Sequence, residues 1–169
     1  MRGTIIGVAA VLLTGLPGRG QASGYSARWH PEPKMGGGEA RLISVAGTCA
    51  SDDEHAPCLS VGCRAGGQFE LLLQSTAGWE DTKAPVRAGR SNTSVSLKGY
   101  PKSVEWAGIA TSGGPIELAF LEKIQNENRL SIRYSRLGFS VTLNGFAGQL
   151  AAMKKRCLRT SGWQMSVTG

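Results

Sequence analysis

The densest group of chemically capable side chains is Asp52-Asp53-Glu54-His55, held between Cys49 and Cys58. Three carboxylates and an imidazole are donor types suited to a divalent cation. Calcium, however, draws about six to eight oxygens from alternating positions around a glycine turn, and four consecutive side chains cannot all converge on one ion. The expectation is therefore a solvated acidic loop without a metal, available to a partner. The second group is Lys154-Lys155-Arg156 with Arg159, which could contact an anionic surface or simply carry the charges of a helix end. These eight residues are the candidate binding positions.

Other constellations are thinner. His30 has Glu32 nearby but no partner nucleophile, and no G-x-S-x-G elbow exists for an abundant serine to occupy. Glu105 and Glu117 are carboxylates of the kind glycoside cleavage uses, although a surface carboxylate is the plainer reading. Gly66-Gly67 and Gly113-Gly114 read as turns, the second lacking the lysine of a phosphate loop. Trp79, Trp106 and Trp163 could form a carbohydrate or peptide platform, or serve as core. With only two histidines, multi-histidine metal and haem proteins are excluded. No catalytic residue and no cofactor are expected.

Four cysteines, Cys49, Cys58, Cys63 and Cys157, are an even count, which reads as two disulfides in an oxidising compartment. Three pairings exist. The preferred one joins Cys49 to Cys58 around a short polar loop and Cys63 to Cys157 across the domain. Zinc is disfavoured because the spacings lack the close ligand pairs of zinc sites.

The elements that must position these residues are mostly strands. Apolar and polar residues alternate around Leu59 and Val61, from Phe69 to Gln74, around Val95 and Leu97, from Leu130 to Ser135, and from Phe139 to Asn144. Each is a half-buried strand. Arg136-Leu137-Gly138 predicts a tight hairpin between the last two. Ile116, Ala119, Phe120, Lys123 and Ile124 fall at helical spacing, with Pro115 as first helical residue and Glu117 in the first turn. A clearer helix carries Phe146, Leu150, Met153 and Cys157 on one stripe. Asn144 or Gly145 caps its start, and Gly162 is the helix stop further on. The architecture is β-rich α+β: a mainly antiparallel sheet, or a sandwich, with two short helices and the C-terminal helix disulfide-linked to the sheet.

Arg2 precedes the apolar run 4–16, which is broken by Pro17-Gly18 and followed by Gly20-Gln21-Ala22. Those are the three regions of a secretory leader, and the run is too short for a membrane span of about 20 residues. The expected organisation is a signal peptide at 1–22, a flexible lead-in at 23–40 containing Gly36-Gly37-Gly38, one domain at 41–163 and a tail at 164–169. A charged fraction of 18% and a hydrophobic fraction of 41% suit a folded domain rather than a polyelectrolyte. The net charge of +7 favours anionic partners. Its cations look scattered along the sequence, so nucleic acid is not expected.

The stretch 59–157 resembles a group of small exported proteobacterial domains. It has a strand ending in cysteine (LSVGC), a strand of the FELLLQS type and a Trp/Gly/Ser segment (VEWAGIATSGG). A helix and strand (IELAFLEKIQNENRLSIRY) and a final hairpin with a helix ending in cysteine (FSVTLNGFAGQLAAMKKRC) follow. It looks like type VI secretion-associated periplasmic proteins and unassigned alphaproteobacterial exported domains. That resemblance implies that Cys63 and Cys157 correspond to the group's two terminal cysteines, and it implies no catalytic residues. The resulting expectation is a non-catalytic periplasmic or secreted binding module for a protein or anionic envelope polymer. The alternative is a peptidoglycan-directed hydrolase, or an inhibitor of one acting through the loop 52–55.

Overall fold

The computed structural model describes residues 26–31, 42–53, 55–76, 81–99 and 110–159. The expected leader, most of the lead-in, Glu54, Glu105, Trp79, Trp106, Trp163, Gly162 and the tail lie outside the described residues.

Among the described residues nine antiparallel strands form one sheet: β1 (His30–Pro31), β2 (Leu42–Cys49), β3 (Cys58–Arg64), β4 (Phe69–Ser75), β5 (Thr82–Ala88), β6 (Ser91–Gly99), β7 (Ala110–Ile116), β8 (Arg129–Tyr134) and β9 (Leu137–Thr142). Their spatial order is β1-β2-β3-β4-β7-β6-β5-β8-β9. Helix α1 (Leu118–Ile124) links β7 to β8, and α2 (Phe146–Arg159) follows β9. The sheet curls into a half-barrel whose concave side holds the main core.

Trp29 draws the two ends of the curl together. Its backbone N–H donates to the Asn144 carbonyl at 2.9 Å, and its indole Nε1–H donates to the Thr142 carbonyl at 2.7 Å. The ring, 2% exposed, packs tilted on Phe146 with centroids 4.6 Å apart. Residues 26–31 of the expected lead-in therefore belong to the folded unit. Asn144 is used in the same closure: its side-chain amide donates to the Ala27 carbonyl. The carbonyl of Gly145, at φ +78°, takes the N–H of Gln149 and so begins the ladder of α2.

Alternation identifies the buried faces. Val86, Val95, Leu97, Leu71, Leu73, Ile132 and Val141 point into the core, and Phe146, Leu150, Met153 and Cys157 form the expected buried stripe of α2. The Cys63–Cys157 disulfide joins that helix to β3, with Cα atoms 6.3 Å apart. Cys49 and Cys58 face each other across β2 and β3 and form the second bridge. Both pairs are the preferred ones.

Three expectations shift. Pro115 and Ile116 end β7, paired with Glu70 and Phe69, so α1 starts at Leu118 with Glu117 as its N-cap. Proline's fixed φ suits an extended residue as well as a first helical turn, and Ile116 gains a buried partner on the strand. Gly113-Gly114 is likewise strand rather than turn. A Cβ at Gly114 would run into the Ser96 carbonyl, so the close passage of β7 over β6 requires glycine there. Finally, the β8–β9 turn is Ser135-Arg136, because Leu137 already pairs with Tyr134. Ser135 takes φ +52°, the positive value that two-residue hairpin turns demand at their first position.

Candidate functional site

The sequence-predicted clusters do not form one site. Successive residues of a helix point about 100° apart, so Lys154, Lys155 and Arg156 leave α2 in three directions. Lys154 forms an ion pair with Glu122 of α1. The Arg156 guanidinium reaches the Ser44 hydroxyl on β2 at 3.4 Å. Lys155 is exposed. Arg159 ends the helix, and its side chain lies outside the described residues.

The acidic loop mostly holds itself together. Asp53 Oδ1 accepts the His55 N–H at 2.8 Å, and the Asp53 carbonyl accepts the Ala56 N–H. Asp52 Oδ1 accepts the Ser26 N–H at 3.1 Å, tying the loop to the segment before Trp29. Asp52, Asp53 and His55 are exposed. Among the described residues, no group of three His, Cys, Asp or Glu side chains is placed to hold a metal ion.

A different set is brought together by strand register. With Ala84, Val86 and Ala88 facing inward, β5 presents Lys83, Pro85 and Arg87 on its convex side. With Leu130, Ile132 and Tyr134 inward, β8 presents Arg129, Ser131 and Arg133 on the same side. Arg87 pairs with Ser131, and Ser131 with Ser140 of β9. Arg133 pairs with Gly138, and Arg129 with Thr142. Toward β6, Lys83 pairs with Ser96 and Arg87 with Asn92. Four cations thus share one face with hydroxyl and amide side chains between them.

All four cations are exposed, and none has an ion-pair partner among the described residues. Arg129 donates to the Ser140 carbonyl at 3.3 Å, and Arg87 Nε to the Gly89 carbonyl at 3.3 Å. Among the described residues, the carboxylates nearest this face stand toward its margins. Asp81 accepts the Gly99 N–H at one end, and Glu127 lies against Gly89 at the other. Elsewhere the chain does pair its charges, as in Arg64–Glu70 at 2.6 Å across β3 and β4. Like charges gathered on neighbouring strands repel one another, so this grouping does not itself favour the sheet.

The face is not flat. Pro85, Arg87, Ser131, Arg133, Gly138 and Ser140 line a trough of about 360 Å³, opened where Gly138 projects no side chain. The Ser131 and Ser140 hydroxyls lie 2.7 Å apart on its floor. Pro85 has no N–H for a ladder, and the β5–β8 pairing begins at the next residue, Val86. A second cavity, about 520 Å³, opens where β6 and β7 part beyond Lys98 and Gly113. By continued register Pro115 would face Ser96 there, and it has no N–H to continue the ladder. Glu70, already paired with Arg64, and Glu117 line that cavity.

A solved structure shares this fold. The crystal structure of invasion associated protein B from Bartonella henselae matches with a TM-score of 0.51 at 14% identity, covering 75% of this chain and 94% of that one. No family model matches the chain, and no curated protein matches it. At that identity the likeness shows the fold alone and carries no link to type VI secretion.

The cationic face was missed because the sequence separates its two halves, Lys83 with Arg87 and Arg129 with Arg133, by about 40 positions. A local signal existed: T-K-A-P-V-R-A and R-L-S-I-R-Y both alternate buried apolar residues with outward-facing residues, most of them basic. Recognising that the two segments are neighbours required the sheet order.

Proposed function

We propose that this protein is a non-catalytic binding module for an anionic envelope polymer, which it engages through the convex face of β5, β8 and β9. The observation that carries the reading is the gathering of Lys83, Arg87, Arg129 and Arg133 on that face without an ion-pair partner among the described residues. The protein acts in the periplasm or outside the cell. The leader-like run, the resemblance to exported domains and two disulfides support that placement. Among the described residues no helix is long and apolar enough to cross a membrane.

The test is isothermal titration with dextran sulfate as a model polyanion. Replacing Lys83, Arg87 and Arg133 together with Gln should weaken binding by more than about tenfold and flatten its salt dependence, since each lost cation removes a screened attraction. Replacing Lys154, Lys155 and Arg156 with Gln should leave it near the parent value. A reversed ranking would move the site to α2, and no binding by the parent protein would refute the module.

The hydrolase reading has one observation in its favour, the presence of Glu70 and Glu117 around one cavity. Turnover of peptidoglycan that disappears in Glu117→Gln would establish it. The inhibitor reading would require loss of hydrolase inhibition in a variant carrying Asp52→Asn and Asp53→Asn.

A further inference from the structure

Resting on the reading of the convex face just given, we infer that the trough between Arg87 and Arg133 is a subsite for a tetrahedral oxyanion, a sulfate or phosphate ester carried on an envelope polysaccharide. The inference comes from the directions in which donors arrive. Arg87 stands on β5 and Arg133 on β8, diagonally related across the ladder through the Arg87–Ser131 pair. Side chains in that relation stand about 7 Å apart at their bases, close enough for two guanidinium groups to flank one anion. The trough they line is floored by the Ser131–Ser140 hydroxyl pair.

Within that pair one hydroxyl donates to the other, and the accepting hydroxyl keeps its own O–H for a third group. Arg87 uses Nε on the Gly89 carbonyl, which holds the side chain in place while its terminal nitrogens retain their donors. The Arg133 side chain has no hydrogen-bond or ion-pair partner among the described residues. Donors on Arg87, Arg133 and the serine pair thus line one trough from two sides and from below. A carboxylate has two oxygens in one plane, and one forked guanidinium engages both, leaving acceptor sites that point only within that plane. An ester-linked sulfate or phosphate offers three terminal oxygens pointing apart, which matches three directions of approach. Gly138 leaves the volume such a group needs: nothing lies within 4 Å of where its Cβ would be.

Two other phosphate-bearing or sulfate-free partners fit less well. Lipid surfaces are usually entered by apolar side chains, and the exposed large hydrophobic among the described residues, Leu158, is on α2. Single-stranded nucleic acid is held by aromatic stacking as well as charge. The aromatic of β9, Phe139, borders the trough but pairs with inward-facing Ile132 and packs partly buried against the core.

The experiment compares dextran sulfate, dextran carrying phosphate monoesters and poly-glutamate, matched in charge per molecule, by calorimetry at physiological salt. Wild type should bind the first two at least about tenfold more tightly than poly-glutamate, a difference of ~1.4 kcal/mol. The double variant Ser131→Ala, Ser140→Ala should lose most of that preference while retaining poly-glutamate binding. Gly138→Glu, which places a carboxylate in the open trough, should abolish the preference without altering the far-UV circular dichroism spectrum. Equal binding of all three polymers, lost together in the Lys83, Arg87, Arg133 variant, would overturn the oxyanion subsite and leave the cationic module standing. Absence of binding to any polymer would remove the module itself. Tighter binding to phosphatidylglycerol vesicles or to poly-uridylate than to dextran sulfate would overturn the assignment to a polysaccharide.

Discussion

Removing the long disulfide should destabilise the protein more than removing the short one, by an amount the chain separations set. Cys63 and Cys157 are 94 positions apart, whereas Cys49 and Cys58 are 9 apart. Loop-closure entropy in the unfolded chain then amounts to about 4.7 kcal/mol for the first and about 2.6 kcal/mol for the second. The two loops do not overlap along the chain, so their contributions should add. Burial widens the gap: both sulfurs of the long bridge are in residues with 0% exposure, and their loss leaves unfilled space between β3 and α2. The perturbation is Cys63→Ala with Cys157→Ala, compared with Cys49→Ala with Cys58→Ala, so that no unpaired thiol remains. Urea unfolding followed by far-UV circular dichroism gives the midpoints and slopes. The long-bridge variant should lose about 4–6 kcal/mol, much of the 5–15 kcal/mol typical of a domain, and the short-bridge variant about 2–3. Its slope should also rise, because an uncrosslinked unfolded chain exposes more surface. If the long-bridge variant loses no more than the short-bridge one, neither the longer loop nor the buried staple adds stability, and the reasoning from chain separation fails. Peptide mapping without reductant that links Cys49 to Cys63 would remove the premise.

Two further outcomes test the curl of the sheet. Gly114→Ala should cost about 1–3 kcal/mol because its Cβ meets the fixed Ser96 backbone, whereas Gly138→Ala, facing open space, should stay within about 0.5 kcal/mol in the same urea titration. Trp29→Phe keeps an aromatic against Phe146 but strands the Thr142 carbonyl, so calorimetry should show a loss of about 1–2 kcal/mol; an unchanged melting temperature would mean that the two sheet ends close without that bond.

Helix α2 was legible in the sequence because its pattern is local: Phe146, Leu150, Met153 and Cys157 fall on one stripe whatever they pack against. Strands β3, β4, β6, β8 and β9 were legible for the same reason, each having one wet and one dry face. The cysteine pairing followed from compartment and loop length. Strand β2 was not legible, since residues on both of its faces are buried and alternation vanishes. Proline in β5 and Gly-Gly-Pro in β7 imitate turns; only their place in the sheet, Pro85 beside the start of the β8 ladder and Gly114 against Ser96, makes them strand residues. The functional candidates divide along the same line. Lys154, Lys155 and Arg156 are adjacent in sequence but diverge around a helix, whereas Lys83, Arg87, Arg129 and Arg133 are distant in sequence and converge through register. Periodicity fixes which way a side chain points relative to its own backbone. Which other side chains point with it depends on long-range strand pairing, and that only the tertiary structure decides.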